Sequence, residues 1–132
     1  MTKASDEEAI RALIARWAKA VRDEDRAAIR ADHAPDMLMF DVPPPFQSRG
    51  LDAYMATWET FFAGVAKPVE FDFRDIEVTA GADVAFATAT GQCRDCSSGK
   101  PEVLAFRLTM GFRKIGGKWC ITHEHHSLPA EG

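Results

Sequence analysis

The sequence is poor in several features, and each shortage excludes a class of protein. It has three cysteines in 132 residues, an odd number that cannot close into a disulfide framework and fits a reducing cytoplasm. Lysine and arginine form no block, and the formal net charge is −4, so nucleic acid and anionic membrane are poor partners. No apolar run approaches the roughly 20 residues of a membrane span. The N-terminal stretch MTKASDEEAIRALIARW is acidic and amphipathic, unlike a signal peptide. A Gly-rich phosphate loop is missing, and no organic cofactor is implied. With no internal repeat and no linker, residues 1–132 read as one domain.

What is present suits a soluble α+β domain. Hydrophobic residues make up 46% and charged residues 27%, and a chain of this size buries roughly two-thirds of its unfolded surface. Ser5 and Glu8 have capping-box spacing, and Ile10, Leu13, Ile14, Trp17 and Val21 recur at helical intervals, predicting a helix over 6–22. Asp23 then caps a short second helix to about Asp32, which Pro35 ends. A short strand follows over 36–41. The segment 42–50 (VPPPFQSRG) reads as irregular, because three consecutive prolines lack backbone donors. Leu51, Tyr54, Met55, Trp58, Phe61, Phe62 and Val65 match one face of a third helix, closed by Gly64 and Pro68. Strands are predicted over 69–79 and 83–94. Helices first and strands afterwards place the helices on one face of an antiparallel sheet.

The last third, 102–129, reads as two long strands joined by Gly116-Gly117. On the first, Leu104, Phe106, Leu108, Met110 and Phe112 alternate with Ala105, Arg107, Thr109 and Gly111. On the second, Trp119, Ile121, His123, His125 and Ser127 alternate with Cys120, Thr122, Glu124 and His126. Side chains alternate across a strand, so each has two chemically different faces, one dry and one lining something wetter.

Three motifs in this order, MFDVPPPFQSRG, the Trp58–Phe62 segment and FRKIGGKWCITHEHHS, resemble the nuclear transport factor 2-like superfamily. The nearest likeness within it is to SnoaL-like and ketosteroid-isomerase-like proteins. The resemblance covers almost the whole chain. It implies a cone-shaped, cystatin-like α+β fold: N-terminal helices packed in a strongly curved, mainly antiparallel sheet, with a pocket between them. It also implies homodimerisation through the outer sheet face, which the stripe from Leu104 to Phe112 would supply. By the same likeness Arg107, Thr109, Cys120, Thr122, Glu124 and His126 point into the pocket, unless a bulge flips them. The superfamily contains isomerases, cyclases, dehydratases and non-catalytic assembly domains, so membership does not fix a reaction.

Several residues carry candidate chemistry. Asp41 ends a strand nine residues before Gly50, the spacing of the general base in ketosteroid isomerases, and an apolar setting would suit that role. It could instead anchor its loop through backbone N–H groups. The isomerases hold their oxyanion with a tyrosine on helix 1 and a protonated acid on the third long strand; the corresponding positions here are Trp17 and Thr109, which argues against a strict steroid isomerase. Arg107 would replace them as a clamp for a carboxylate, phosphate or enolate, or pair with Asp41 or Glu124. His126 is a candidate acid or base. His123 and His125 have the H-x-H spacing of a strand-borne metal site, but no third ligand accompanies them, and no metal is expected. Cys93-x-x-Cys96 lacks a thioredoxin-like or zinc context. Trp17, Trp58, Phe62, Thr109, Thr122 and Glu124 are expected to line the pocket. Two readings follow: a cofactor-independent enzyme moving a proton on a small apolar carbonyl compound, of isomerase, cyclase or dehydratase type, or a non-catalytic ligand-binding or dimerisation domain.

Overall fold

The structure, a computed structural model, describes residues 3–95 and 102–130. Three helices, α1 (Lys3–Arg22), α2 (Arg26–Ala31) and α3 (Leu51–Gly64), pack against six strands. The strands are β1 (His33–Phe40), β2 (Ser48–Arg49), β3 (Phe71–Ala80), β4 (Val84–Asp95), β5 (Glu102–Ile115) and β6 (Lys118–Ser127). They form a single sheet in the order β2-β1-β6-β5-β4-β3. Every pairing is antiparallel except β1 with β6. None of the helices described is long and apolar enough to cross a membrane.

The elements form for the reasons the spacing predicts. Ile10, Leu13, Ile14, Trp17 and Val21 are buried along one stripe of α1, as the 3.6-residue repeat requires. Tyr54, Trp58 and Phe62 do the same on α3 at four-residue steps. Gly116 and Gly117 both have positive φ (58° and 78°) in the β5–β6 turn, where residues with a Cβ would be strained. The helix starts are corrected. α1 already runs at Lys3, so Ser5 lies inside it, and Asp6 instead accepts from Lys114 Nζ at 3.0 Å and Trp119 Nε1 at 3.1 Å. Asp25, not Asp23, caps α2 by accepting from the Ala28 N–H. Pro35 sits within β1 rather than ahead of it. In the proline-rich segment, Ser48–Arg49 pairs with Leu38–Met39 as a short strand.

The faces of β5 are the reverse of what the resemblance implies. Phe106, Leu108, Met110 and Phe112 are buried beneath the helices, while Arg107 and Thr109 are exposed on the outer face. The physical reason is that the bulky apolar set gains about 25 cal/mol per Å² when covered, whereas an inward Arg107 would be a desolvated cation. Along β6 the parity changes. Gly111 faces His123 but Phe112 faces Ile121, so Thr122 is an extra residue in a bulge. Before the bulge Trp119 and Ile121 are inward; after it Glu124 and His126 are. Cys120, between Trp119 and Ile121, and Thr122 in the bulge are therefore only half-buried, while one inserted residue flips every later side chain and turns Glu124 and His126 in.

Candidate functional site

A hollow of about 800 Å³ opens between α3, the proline-rich loop and the inner face of the sheet. Met39, Trp58, Phe61, Phe71, Phe106 and Leu128 give it apolar walls, and Asp41, Thr57 and His126 contribute polar groups. The loop 42–45 forms part of the rim. At its start Asp41 Oδ1 accepts the Val42 N–H at 2.8 Å. Asp41 thus accepts one backbone N–H at the start of the loop, and its carboxylate also acts electrostatically on His126.

Behind His126 lies a closed hydrogen-bond network. Glu124 is fully buried, and a buried carboxylate needs partners. Tyr54 Oη donates to Oε2 at 2.6 Å, and Trp17 Nε1 donates to Tyr54 Oη at 3.1 Å. His33 Nε2 meets Oε2 at 2.6 Å, and His126 Nε2 meets Oε1 at 3.0 Å. The other nitrogen of His33, Nδ1, lies 2.7 Å from the Ile29 carbonyl oxygen. Among the described residues, Trp58 Nε1 is the buried side-chain polar atom left without a hydrogen-bond partner.

Burial pushes the Glu124 carboxyl up, but hydrogen bonds from His126 and His33, reinforced by their charges, outweigh it and hold it at about 2. For His126, burial works against the cation; the hydrogen bond and charge of Glu124, then the charge of Asp41, overcome that and raise it above 6.5. Burial, followed by the neighbouring Glu124 charge, lifts the Tyr54 phenol well above 10. Glu124 is thus an anionic anchor, and His126 is an imidazole whose proton affinity is raised at the wall of an apolar hollow.

Of the residues singled out in the sequence for the pocket or its chemistry, Asp41, Trp58, Cys93 and His126 line the hollow. Glu124 stands one layer behind, paired with His126 rather than Arg107. The rest are elsewhere. Arg107 Nε donates to Ser127 Oγ at 3.1 Å on the outer face, and Thr109 is exposed beside it. Thr122 occupies the outer bulge. Trp17 is core, backing His126 with ring centroids 6.2 Å apart. Phe62 is buried next to Trp58, and the Arg26 guanidinium covers its ring at 4.5 Å. His123 and His125 flank Phe40 on the outer sheet face, and no group of three or more metal-binding side chains occurs among the described residues. Cys93 lines the hollow; Cys96 lies outside the described residues.

Sequence reasoning missed Tyr54 and His33 as site residues. Tyr54, the chain's only tyrosine, had a usable signal: a hydroxyl on a buried helical stripe must find a partner. His33 had none, because its partner is 91 positions away.

A helix-filled curved sheet with an apolar hollow at its open end defines the class: an α+β, cystatin-like fold of the nuclear transport factor 2-like type. The model of the SnoaL-like domain matches residues 10–131, and the chain belongs to that family. An NTF2-like protein of unknown function from Pseudomonas putida is 36% identical, with TM-score 0.86 over 99% of this chain and 91% of that one. An NTF2-like protein with a cystatin-like fold from Novosphingobium aromaticivorans is 23% identical, with TM-score 0.83 over 98% and 85%. A ketosteroid isomerase-like protein from Erwinia carotovora atroseptica is 19% identical, with TM-score 0.77 over 94% and 96%. No curated protein matches the chain.

Proposed function

We propose that the hollow binds a small, largely apolar carbonyl compound and that His126 moves a proton on it, in a reaction of isomerase or cyclase type. A single observation carries this reading: His126 lines the hollow while its Nε2 is held by Glu124, and its Nδ1 has no hydrogen-bond partner among the described residues. Neutral His126 would take a proton from the carbon next to the carbonyl. The C–H bond would break, its electron pair passing through the new C=C bond to the carbonyl oxygen, and the imidazolium, after exchanging its proton with solvent, would deliver one to another atom of the enolate. Asp41, on the same wall, would favour the imidazolium formed on the way. Trp58 and Phe61 would hold the ring or chain of the ligand.

The test is deuterium uptake from D₂O into a panel of apolar cyclic ketones and enones, followed by NMR. His126→Gln should slow any exchange by about 10²-fold or more, and Asp41→Asn by less. Exchange at the wild-type rate in His126→Gln would remove this residue from the chemistry.

A second reading, a non-catalytic ligand-binding or dimerisation domain, is favoured by the placement of Trp17 and Thr109. Neither reaches the hollow, so the two positions matched to the isomerases' oxyanion donors supply none here. Ligand binding without exchange in the wild type would decide for it. We also propose a homodimer through the outer sheet face, now supported by the exposed Phe86 beside Gly111 and by Phe40 with His123 and His125. A cytoplasmic location is a further proposal, resting on the cysteine usage.

A further inference from the structure

His33 is a buried titratable group that the proposed chemistry does not use and that touches no part of the hollow. Its side chain is fully buried, as is that of Glu124. A ring nitrogen facing a carbonyl oxygen has to donate, so His33 Nδ1 carries a proton toward Ile29. The 2.6 Å contact from Nε2 to Glu124 Oε2 must then hold a second proton, since two lone pairs would otherwise face each other. Whether that proton lies nearer the nitrogen or the oxygen, His33 and Glu124 together are neutral. The remaining oxygen, Oε1, accepts from His126 Nε2. His126 in its neutral form therefore keeps its proton on Nε2 and its lone pair on Nδ1.

We propose that His33 is a positioning residue for His126: acting through Glu124, it fixes the imidazole tautomer and neutralises the carboxylate that would otherwise hold His126 as a cation. The proposal rests on the reading of His126 as the proton-transfer group and explains how that group keeps a free lone pair near neutral pH. A base anchored by an isolated buried carboxylate would stay protonated and idle. The groups that bear on the His126 charge are Glu124 on its own strand, Asp41 after β1, and, through Glu124, Tyr54 on α3 and His33 on β1. Trp17 and Phe106, which pack on the ring, carry no charge.

The test is NMR titration of the histidines in ¹⁵N-labelled protein without ligand. In the wild type, long-range ¹H–¹⁵N correlations should show neutral His126 protonated at Nε2. His33→Gln keeps a donor toward Oε2 but removes the shared proton, so the His126 titration should move up by about one unit or more. Should that variant not fold, Glu124→Gln provides the opposite arm, and the His126 titration should fall. An Nδ1-protonated tautomer, or a His126 titration that does not respond to either substitution, would overturn the proposal. Because the measurement needs no ligand, a hollow that proves to bind nothing would sink the functional reading and leave the tautomer and the shift standing.

Discussion

Tyr54 and Glu124, seventy positions apart in sequence, meet in a 2.6 Å hydrogen bond at the centre of the molecule. The bond joins α3 to β6, and through Trp17 it also reaches α1. The phenol both donates and accepts, so removing its oxygen strands Trp17 Nε1 and leaves Glu124 Oε2 with His33 alone. Tyr54→Phe should cost about 1.5–3 kcal/mol, the range for a hydrogen bond to a charged group, read from the urea midpoint. A variant as stable as the wild type would mean that the network contributes nothing to folding.

The same network makes stability depend on pH in two windows. The folded-state pKa of Glu124 is depressed from 4.5 to about 2, so its contribution is complete above 4.5 and disappears as the pH falls toward 2. That of His126 is raised above 6.5, so its contribution is complete below 6.5 and disappears as the pH rises through the folded value. Unfolding free energy should therefore fall on both sides of a mildly acidic plateau. Glu124→Gln should flatten both slopes, and at mildly acidic pH it should cost about 3–5 kcal/mol, as expected when one member of a buried charged set is removed. Urea titrations across the pH range would measure both effects.

Gly91 lets the sheet carry an aromatic layer. A Cβ built there would lie 2.3 Å from Phe106 Cζ and 2.7 Å from Phe73 Cε1. Gly91→Ala must push Phe106, a wall of the hollow, off its position. The expected cost is about 1–3 kcal/mol, with weaker uptake of an apolar fluorescent probe such as anilinonaphthalene sulfonate. Unchanged probe binding and stability would show that the rings yield without strain.

Arg107 provides the control. It is exposed, and among the described residues its side chain bonds only to Ser127 on the outer face, so Arg107→Ala should change stability by no more than about 0.5 kcal/mol and leave probe binding unaltered. Lost probe binding in this variant would contradict the orientation of β5.

The sequence by itself determined the architecture. The helical stripes of α1 and α3, the two-glycine turn and the alternation in β5 and β6 are local patterns, with periods set by backbone geometry. Alternation also separates the two faces of a strand correctly, but it is symmetric: it does not say which face looks inward. Only packing decided that, by burying the set from Phe106 to Phe112 and leaving Arg107 outside. The Thr122 bulge is likewise a property of two strands in register, not of one. The candidate site was legible at Asp41, Trp58 and His126, whose chemistry or neighbouring motif marked them. The link between His33 and Glu124 was not, because a hydrogen bond between residues 91 positions apart leaves no periodicity in the chain and exists only once the sheet brings β1 beside β6.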